Sequence, residues 1–236
     1  MEKKDLQLEL DLLLASRLLS GFFDGQKCID WTVSLMQRGY ESDNLYILAG
    51  LDSDDGRGIE HYLEKLIDDL GLTQHRDAEE LFQIYVSDIA SQVLKKEIAP
   101  LKGLSIMEEI RIQSFDSDYS TYTINQFSYL AEEISLLGEY QLFYIGLTEE
   151  NIEEVIVDEM KMLLFAQSKD LNDITNLIYC EKCNDFSHSK YKEKGWLLKK
   201  GRWHCEKCDS EKYLAWYNVT DRKQILKMIE GYEKTI

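Results

Sequence analysis

The feature that most constrains the fold is a pair of C-x-x-C motifs late in the sequence. Cys180-Glu-Lys-Cys183 and Cys205-Glu-Lys-Cys208 enclose the same dipeptide and are separated by 21 residues. A C-x-x-C turn presents two thiolates on one side, and two such turns complete the tetrahedron of sulfur ligands that Zn²⁺ prefers. The spacing therefore predicts one metal site formed by these four cysteines. An iron centre on the same four sulfurs is the alternative that the sequence leaves open.

The segment between the motifs has the composition of a β-hairpin. We expect a strand over 195–198, a turn at 199–202 and a return through Trp203 into the second motif, with a third strand over 213–219. With its cysteines, the segment 179–219 resembles the zinc-ribbon family. The resemblance implies a small β-rich module, but no particular activity, because zinc ribbons serve in transcription, translation, enzymes and scaffolds. A helix is expected over 221–233 with Thr220 as its N-cap, so a treble-clef-like module is the alternative.

The predicted site is structural rather than catalytic. Four thiolates fill the coordination sphere of the metal and leave no position for water or substrate. His188 and His204 lie close to the motifs in the sequence, and a site in which His204 replaces one cysteine is the alternative. For both histidines we expect a position on the surface of the ribbon.

The chain before the motifs has the periodicity of amphipathic and buried helices, so the predicted fold is mainly α. We expect helices over 5–21, 24–38, 44–51, 59–70, 77–94, 100–112, 122–137 and 149–166. Residues 140–146 fit either a short strand or a buried turn of helix. Five acids, which we expect to form a solvated helix face, are Glu149, Glu150, Glu153, Glu154 and Glu159.

Three parts are expected: helical units over 1–72 and 73–170, packed as one body, and a ribbon with a final helix over 176–236. The boundary is placed near 168–175 because the charge changes there. Residues 1–175 carry 14 Lys and Arg against 35 Asp and Glu, whereas residues 176–236 carry 13 against 9. A faint repeat, in which Ala15-Ser16 recurs as Ala90-Ser91, has two explanations: two copies of one helical unit, or a chance match.

Composition excludes several classes of protein. Hydrophobic residues make up 44% of the 236 residues, which is enough to form a core, so the chain is not disordered as a whole. The formal net charge of −17 argues against the whole protein binding nucleic acid. We find no signal peptide or membrane span, and the cysteines do not form a disulfide scaffold, so we expect a cytoplasmic protein without membrane contact.

Common catalytic and nucleotide-binding motifs are absent from the sequence. Residues 52–58 are rich in Asp and Gly but lack the spacing of an EF-hand, and they are expected to form a turn between helices. Cys28 lies on an apolar helix and is expected to be a buried thiol.

Three classes of function remain open. The first is a non-enzymatic adaptor whose acidic helical body binds a protein partner, for which charge favours a basic one. A bacterial immunity protein, which neutralises a basic nuclease toxin, would be one instance on charge alone. The second is nucleic-acid binding through residues 190–203 of the ribbon. The third is an enzyme whose site is assembled from residues distant in the sequence. The candidate residues for contact with nucleic acid or a partner are Trp196, Lys199, Lys200, Arg202 and Trp203.

Overall fold

The computed structural model describes residues 3–20, 24–74, 77–113, 121–168, 177–194, 200–216 and 218–233. Its helices are α1 (Lys3–Ser20), α2 (Gly25–Gln37), α3 (Asp43–Ala49), α4 (Gly56–Asp69), α5 (Ala78–Leu94), α6 (Pro100–Gln113), α7 (Thr121–Ser135), α8 (Ile152–Ser168) and α9 (Val219–Glu233). Its strands are β1 (Leu177–Cys180), β2 (Asp185–Lys194), β3 (Lys200–Cys205) and β4 (Tyr213–Ala215). The predicted fold class is confirmed: helices come first, then a small sheet and a final helix. Within these ranges, no helix combines the length and the apolar character needed to cross a membrane.

The chain divides into two compact units, Met1–Val86 and Ser87–Ile236, and the division falls inside α5. The three-part division expected from the sequence, over 1–72, 73–170 and 176–236, stays a prediction. So does the internal repeat.

In the first unit, side-chain caps determine where helices begin. The Ser42 hydroxyl accepts a hydrogen bond from the Leu45 amide at 3.1 Å and so caps α3. The Asp55 carboxylate accepts one from the Gly58 amide at 3.0 Å and caps α4. Because these oxygens satisfy amides that have no partner in the first turn, they stabilise each helix start. Of the turn predicted at 52–58, residues 52–55 lie between α3 and α4, whereas residues 56–58 form the start of α4.

One apolar core holds the first unit together. Side chains from α1 to α4 are buried in it, including Leu10, Leu35, Leu45, Leu48, Ile59 and Leu66. At the edge of this core, the Glu9 carboxylate pairs with the Arg38 guanidinium at 2.7 Å and accepts a hydrogen bond from the Trp31 indole at 3.1 Å. The core and this ion pair connect α1 to α2.

In the second unit, a four-stranded antiparallel sheet packs against helices. The strand order is β3-β2-β1-β4, and the register places Tyr179 opposite Phe186 and Tyr191 opposite Trp203. One face of the sheet joins α8 and α9 in a shared core, which contains Met162, Ala166, Leu177, Tyr179, Leu214, Trp216, Ile225 and Leu226. The other face carries the cysteines. The sheet therefore lies between the cysteines and the helices.

The structure corrects the predicted hairpin. Its first strand is β2, which is rich in charged residues and lacks the apolar pattern that marks a strand. Of the predicted turn at 199–202, residues 200–202 belong to β3, and the predicted strand at 195–198 lies outside the described residues. The prediction at 213–219 is confirmed only for Tyr213–Ala215. Strand β1, which the sequence analysis missed, pairs with both β2 and β4.

The start of α9 also differs from the prediction. Thr220 lies inside the helix, and the Asn218 side chain accepts a hydrogen bond from the Thr220 amide at 2.9 Å. Asn218 therefore caps this helix, because its amide oxygen supplies the acceptor that we assigned to Thr220. Residues 140–146 form neither the short strand nor the buried turn of helix expected from the sequence. They form a largely exposed loop whose Ile145 makes an isolated bridge with Asn218.

Candidate metal centre

The four predicted cysteines meet at one point in the structure. Their Sγ atoms all lie within 4.8 Å of one another. The distance from Cys180 to Cys208 is 3.6 Å, and the distance from Cys183 to Cys205 is 3.9 Å. A tetrahedron with zinc–sulfur bonds of about 2.3 Å has sulfur–sulfur edges of about 3.8 Å. The thiol positions therefore fit a tetrahedral metal ion, and in the described part of the chain they form the one group of this kind.

Two similar turns place these sulfurs. Cys180 ends β1 and Cys205 ends β3, and each is followed by a turn that carries the second cysteine of its motif. The Asn184 amide donates to the Cys180 carbonyl at 2.8 Å, and the Asp209 amide donates to the Cys205 carbonyl at 2.9 Å. Each turn thus closes in the same way one residue after its second cysteine.

The residues that close the turns have positive φ angles, 53° at Asn184 and 60° at Asp209. Asn and Asp tolerate this left-handed region better than other residues with a side chain. The residue after the first cysteine of each motif also makes an equivalent backbone hydrogen bond. The Glu181 amide donates to the Lys212 carbonyl, and the Glu206 amide donates to the His188 carbonyl. Backbone hydrogen bonds therefore anchor the first motif to the residue before β4 and the second motif to β2.

The electrostatics of the cluster favour a bound cation. A hydrogen bond to the Cys208 sulfur, burial and the other two sulfurs together raise the pKa of Cys183 to about 12. At Cys205, burial raises the pKa, but hydrogen bonds from the Ser187 hydroxyl and from the Cys208 and Lys207 amides outweigh it and lower the pKa to about 6. Four adjacent thiols cannot all ionise easily without a positive charge between them, and a divalent metal supplies it.

The candidate contact residues of the hairpin are only partly described. Trp196 and Lys199 lie outside the described residues, and Lys200 lies at the start of β3 with its side chain undescribed. Trp203 is 46% exposed and makes an edge-to-face contact with Tyr191, which is 52% exposed. The two rings are 5.5 Å apart. The hairpin therefore presents an aromatic pair to solvent, on the face of the sheet that carries the cysteines.

The basic side chains of the same two strands are engaged within the ribbon. Lys190 and Lys192 both pair with the Asp209 carboxylate, at 3.0 and 2.6 Å. Arg202 pairs with Glu211 at 2.7 Å. These pairs reduce the positive charge that the hairpin offers to a phosphate backbone.

The expectation that His204 lies on the ribbon surface is wrong. Its side chain is 3% exposed, and its Nδ1 lies 3.1 Å from the Asp209 carbonyl oxygen. It does not belong to the cysteine cluster. His204 thus packs beside the second cysteine turn, and the group of four thiols needs no histidine.

The second unit contains a buried polar cluster, formed by Glu159, Arg222 and Trp216, that we did not predict from the sequence. Glu159 of α8 and Arg222 of α9 form an ion pair of 2.7 Å, and neither side chain is exposed. The Trp216 indole donates to both oxygens of Glu159, at 2.9 and 3.1 Å. The expectation that Glu159 belongs to a solvated face is therefore wrong.

Two aromatic rings enclose the Arg222 guanidinium in this cluster. Its central carbon lies 4.8 Å from the centre of the Tyr144 ring and 4.7 Å from that of Trp216. The hydroxyl of Tyr144 accepts from the Gln126 amide at 2.7 Å, and burial holds its pKa well above the usual value. The cluster thus joins α7, α8 and α9 in the interior, closed to solvent.

Helical periodicity contained a signal for Glu159. It follows Val155 by four residues and Ile156 by three, so it lies on the apolar face of α8. In the same way, Arg222 lies one turn before the buried Ile225 and Leu226. An acid and a base on the apolar faces of two helices indicate a buried pair, although the sequence does not show that these two helices meet.

Cys28 is a buried thiol, as predicted. Burial raises its pKa to about 11, so it is protonated and poorly nucleophilic at neutral pH.

The arrangement of the four thiols in a small β region is compatible with a zinc-ribbon-like module. No protein family, curated protein or solved structure matches the chain.

Proposed function

We propose that this is a non-enzymatic, zinc-stabilised binding protein. Cys180, Cys183, Cys205 and Cys208 would hold one Zn²⁺, and the acidic helical part of the chain would recognise a protein partner. The observation that carries the proposal is the convergence of four sulfurs within 4.8 Å. Four protein ligands complete the coordination of zinc, so the metal would stabilise the fold and would not activate water.

The role of the metal follows from the size of the module that it would hold. The cysteine face of the sheet buries little besides the cysteines themselves, namely Ile178 and Ala215 with Tyr213 packed against them. So small an apolar cluster contributes little stability without a metal. Zinc would therefore fix the two turns to the strands.

The choice of a protein partner rests on charge. The first 175 residues carry 35 acids against 14 bases, and the lysines and arginine described in the hairpin are paired within the ribbon. Such a surface attracts basic partners and speeds their association, whereas it repels nucleic acid. An immunity-like inhibitor of a basic protein remains one instance of this class.

Two measurements test the proposal. Elemental analysis of the purified protein is expected to give about one zinc per chain, and iron in its place would refute the zinc assignment. Affinity capture from the native lysate, with and without nuclease, is expected to give the same stoichiometric protein under both conditions. Loss of all companions after nuclease treatment would refute a protein partner.

Nucleic-acid binding through the hairpin is the second candidate, and the exposed pair of Tyr191 and Trp203 favours it. Aromatic rings at a basic strand stack on bases of single strands. Asp209 neutralises two lysines of the hairpin, so Asp209→Asn should strengthen binding of single-stranded DNA at low salt, while Asn keeps the backbone conformation of the turn.

A matched variant completes this test. Trp203→Ala should remove a stacking ring and weaken the same binding about tenfold or more, without loss of zinc. If wild type and Asp209→Asn both fail to bind DNA at low salt, the second candidate is refuted.

A further inference from the structure

We propose that the loop at 140–146 is a docking surface for a protein segment that combines apolar side chains with lysine or arginine. The inference deepens the proposed function and rests on it, because it names the surface that the partner contacts. The loop combines three properties: exposed apolar side chains, an ordered backbone, and acidic surroundings.

Three apolar side chains project from this loop into solvent. Tyr140 is 46% exposed, Ile145 is 49% exposed and Leu142 is 63% exposed. Leu142 is the most exposed large hydrophobic residue in the described part of the chain. Exposed apolar side chains grouped within six residues are typical of an interaction surface, whereas single ones are ordinary. We call these three side chains the apolar tip.

A buried carboxylate orders the backbone beneath the apolar tip. Glu133 of α7 is 2% exposed, and its carboxylate accepts hydrogen bonds from the amides of Leu142, Phe143 and Tyr144. The bond from Leu142 is 2.6 Å long and the bond from Tyr144 is 2.9 Å long. Hydrogen bonds to a charged acceptor are stronger than neutral ones. The loop thus has a defined shape without a partner.

Further contacts fix both sides of the loop. Phe143 stacks on Tyr129 with 4.4 Å between ring centres. The Gln141 side chain accepts from the Gly146 amide at 2.9 Å and donates to the Leu147 carbonyl at 2.5 Å. An ordered loop loses little conformational entropy on binding, which favours affinity. These contacts therefore suit a binding loop better than a flexible connection.

The charge around the apolar tip selects the occupant. Residues 121–160 contain nine Asp and Glu and no Lys or Arg. Four exposed acids flank the loop: Glu139, Glu149, Glu150 and Glu153. Among the described residues none of these four pairs with a lysine or arginine, whereas Glu154 pairs with Lys223. A complementary surface therefore has apolar side chains bordered by positive charge.

The same charge disfavours the other occupants. A second copy of this chain would bring an equally acidic segment against the apolar tip, and the formal net charge of −17 on each copy opposes association. Nucleic acids and anionic lipid surfaces are repelled for the same reason. A basic protein segment is the occupant that satisfies both the apolar and the charged parts of the surface.

The test uses two labelled amphipathic peptides of about 14 residues, one of Leu and Lys and one of Leu and Glu, with binding to the full chain followed by fluorescence anisotropy. The loop variant combines Tyr140→Ser, Leu142→Ser and Ile145→Ser. Its matched control is Leu101→Ser, because Leu101 is 49% exposed on α6 in the same unit. Zinc content and circular dichroism show that each variant is folded.

We expect wild type and Leu101→Ser to bind the Leu/Lys peptide equally, and the loop variant to bind it about tenfold more weakly. The Leu/Glu peptide should not bind. Equal affinity of wild type and loop variant for the Leu/Lys peptide would overturn the inference, and so would equal binding of both peptides by wild type.

Analytical ultracentrifugation, which measures the oligomeric state, tests whether a second copy of this chain occupies the apolar tip. A wild-type dimer that the loop variant dissociates would assign the apolar tip to a second copy and overturn the inference. The proposed function fails separately: it is refuted by absence of zinc or by loss of the captured protein after nuclease treatment, whatever the peptides do. If wild type and loop variant capture the same protein, the proposed function is retained, but the loop at 140–146 is not the surface that the partner contacts.

Discussion

Glu159 and Arg222 form an ion pair of 2.7 Å from which solvent is fully excluded. The pair joins α8 to α9, and the Trp216 indole, directly after β4, donates to the same carboxylate. Because β4 pairs with β1, which ends at Cys180, the buried charges and the cysteine cluster belong to one contiguous part of the second unit. Substitutions at the buried pair or at the cysteines should therefore each affect the stability of the sheet that connects them.

Removal of one partner of this pair should be severely destabilising. We expect Arg222→Met to lower the free energy of unfolding by about 3–5 kcal/mol, because it leaves the Glu159 carboxylate buried without a counter-charge. The double variant with Glu159→Gln should cost less than the sum of the two single changes, because it removes both charges. Urea unfolding of the four proteins measures this coupling.

An exposed pair between the same two helices provides the control. Glu154 and Lys223 pair at 3.0 Å, with side chains 52% and 54% exposed. We expect Lys223→Met to change the free energy of unfolding by no more than about 1 kcal/mol. Equal costs at Arg222 and Lys223 would contradict the assignment of a buried ion pair between Glu159 and Arg222.

Loss of the metal ligands should unfold the sheet. In the variant Cys180→Ser with Cys183→Ser, we expect loss of zinc and of hydrogen-exchange protection in the four strands. Because the sheet shares a core with α8 and α9, those helices should lose protection as well, while the first unit, Met1–Val86, keeps it.

Cys28→Ala is the control for this variant. Cys28 is buried in the first unit, apart from the cysteine cluster, and its replacement should leave the zinc content unchanged. A double serine variant with wild-type zinc content and an unchanged melting profile would refute the four-thiol site.

Glu133 should control the order of the loop at 140–146. Glu133→Gln replaces a charged acceptor of three amides with a neutral side chain that has a single acceptor oxygen, so the Leu142, Phe143 and Tyr144 amides should exchange about tenfold faster or more. The neighbouring Glu132 is exposed, and Glu132→Gln should leave these amides unchanged. Equal exchange in both variants would show that other contacts order the loop.

The pair of Glu9 and Arg38 predicts a pH dependence of stability. Hydrogen bonding to Arg38 lowers the pKa of Glu9 against the opposing effect of burial. The stabilisation is therefore complete above the unfolded-state pKa of about 4.3 and is lost as the pH falls through the lower folded-state value. Both side chains are partly exposed, so the contribution should not exceed about 1 kcal/mol.

The measurement compares the free energy of unfolding of wild type and Glu9→Gln between pH 7 and pH 3. The difference should be constant near neutral pH and shrink in the acid range. A difference that does not change with pH would show that the carboxylate charge at Glu9 contributes nothing.

Local patterns were sufficient to predict the helices and the four cysteines that meet in the structure. A helix depends on residues three and four apart, and a C-x-x-C turn depends on four consecutive residues, so both are visible within short windows of sequence. The bounds predicted for α6, 100–112, end one residue before those observed for the helix Pro100–Gln113. The hairpin was misplaced because β2 is stabilised by pairing with β1 and β3 rather than by an apolar pattern of its own.

The pairing of charged side chains is the property that the sequence predicted least well. The sequence determines that the ribbon carries an excess of bases, but only the tertiary structure pairs Lys190 and Lys192 with Asp209. It likewise determines that α8 has an acid on its apolar face, while the partner, Arg222, comes from a helix 63 residues further along the chain.

The sequence by itself therefore determined the fold class, most helices and the identity of the four candidate ligands, because short-range periodicity and spacing encode them. Only the tertiary structure decided which charges are paired, which acid is buried and which apolar loop is held open to solvent. These properties depend on contacts between residues far apart in the chain, and the free energy of a charge depends on what surrounds it.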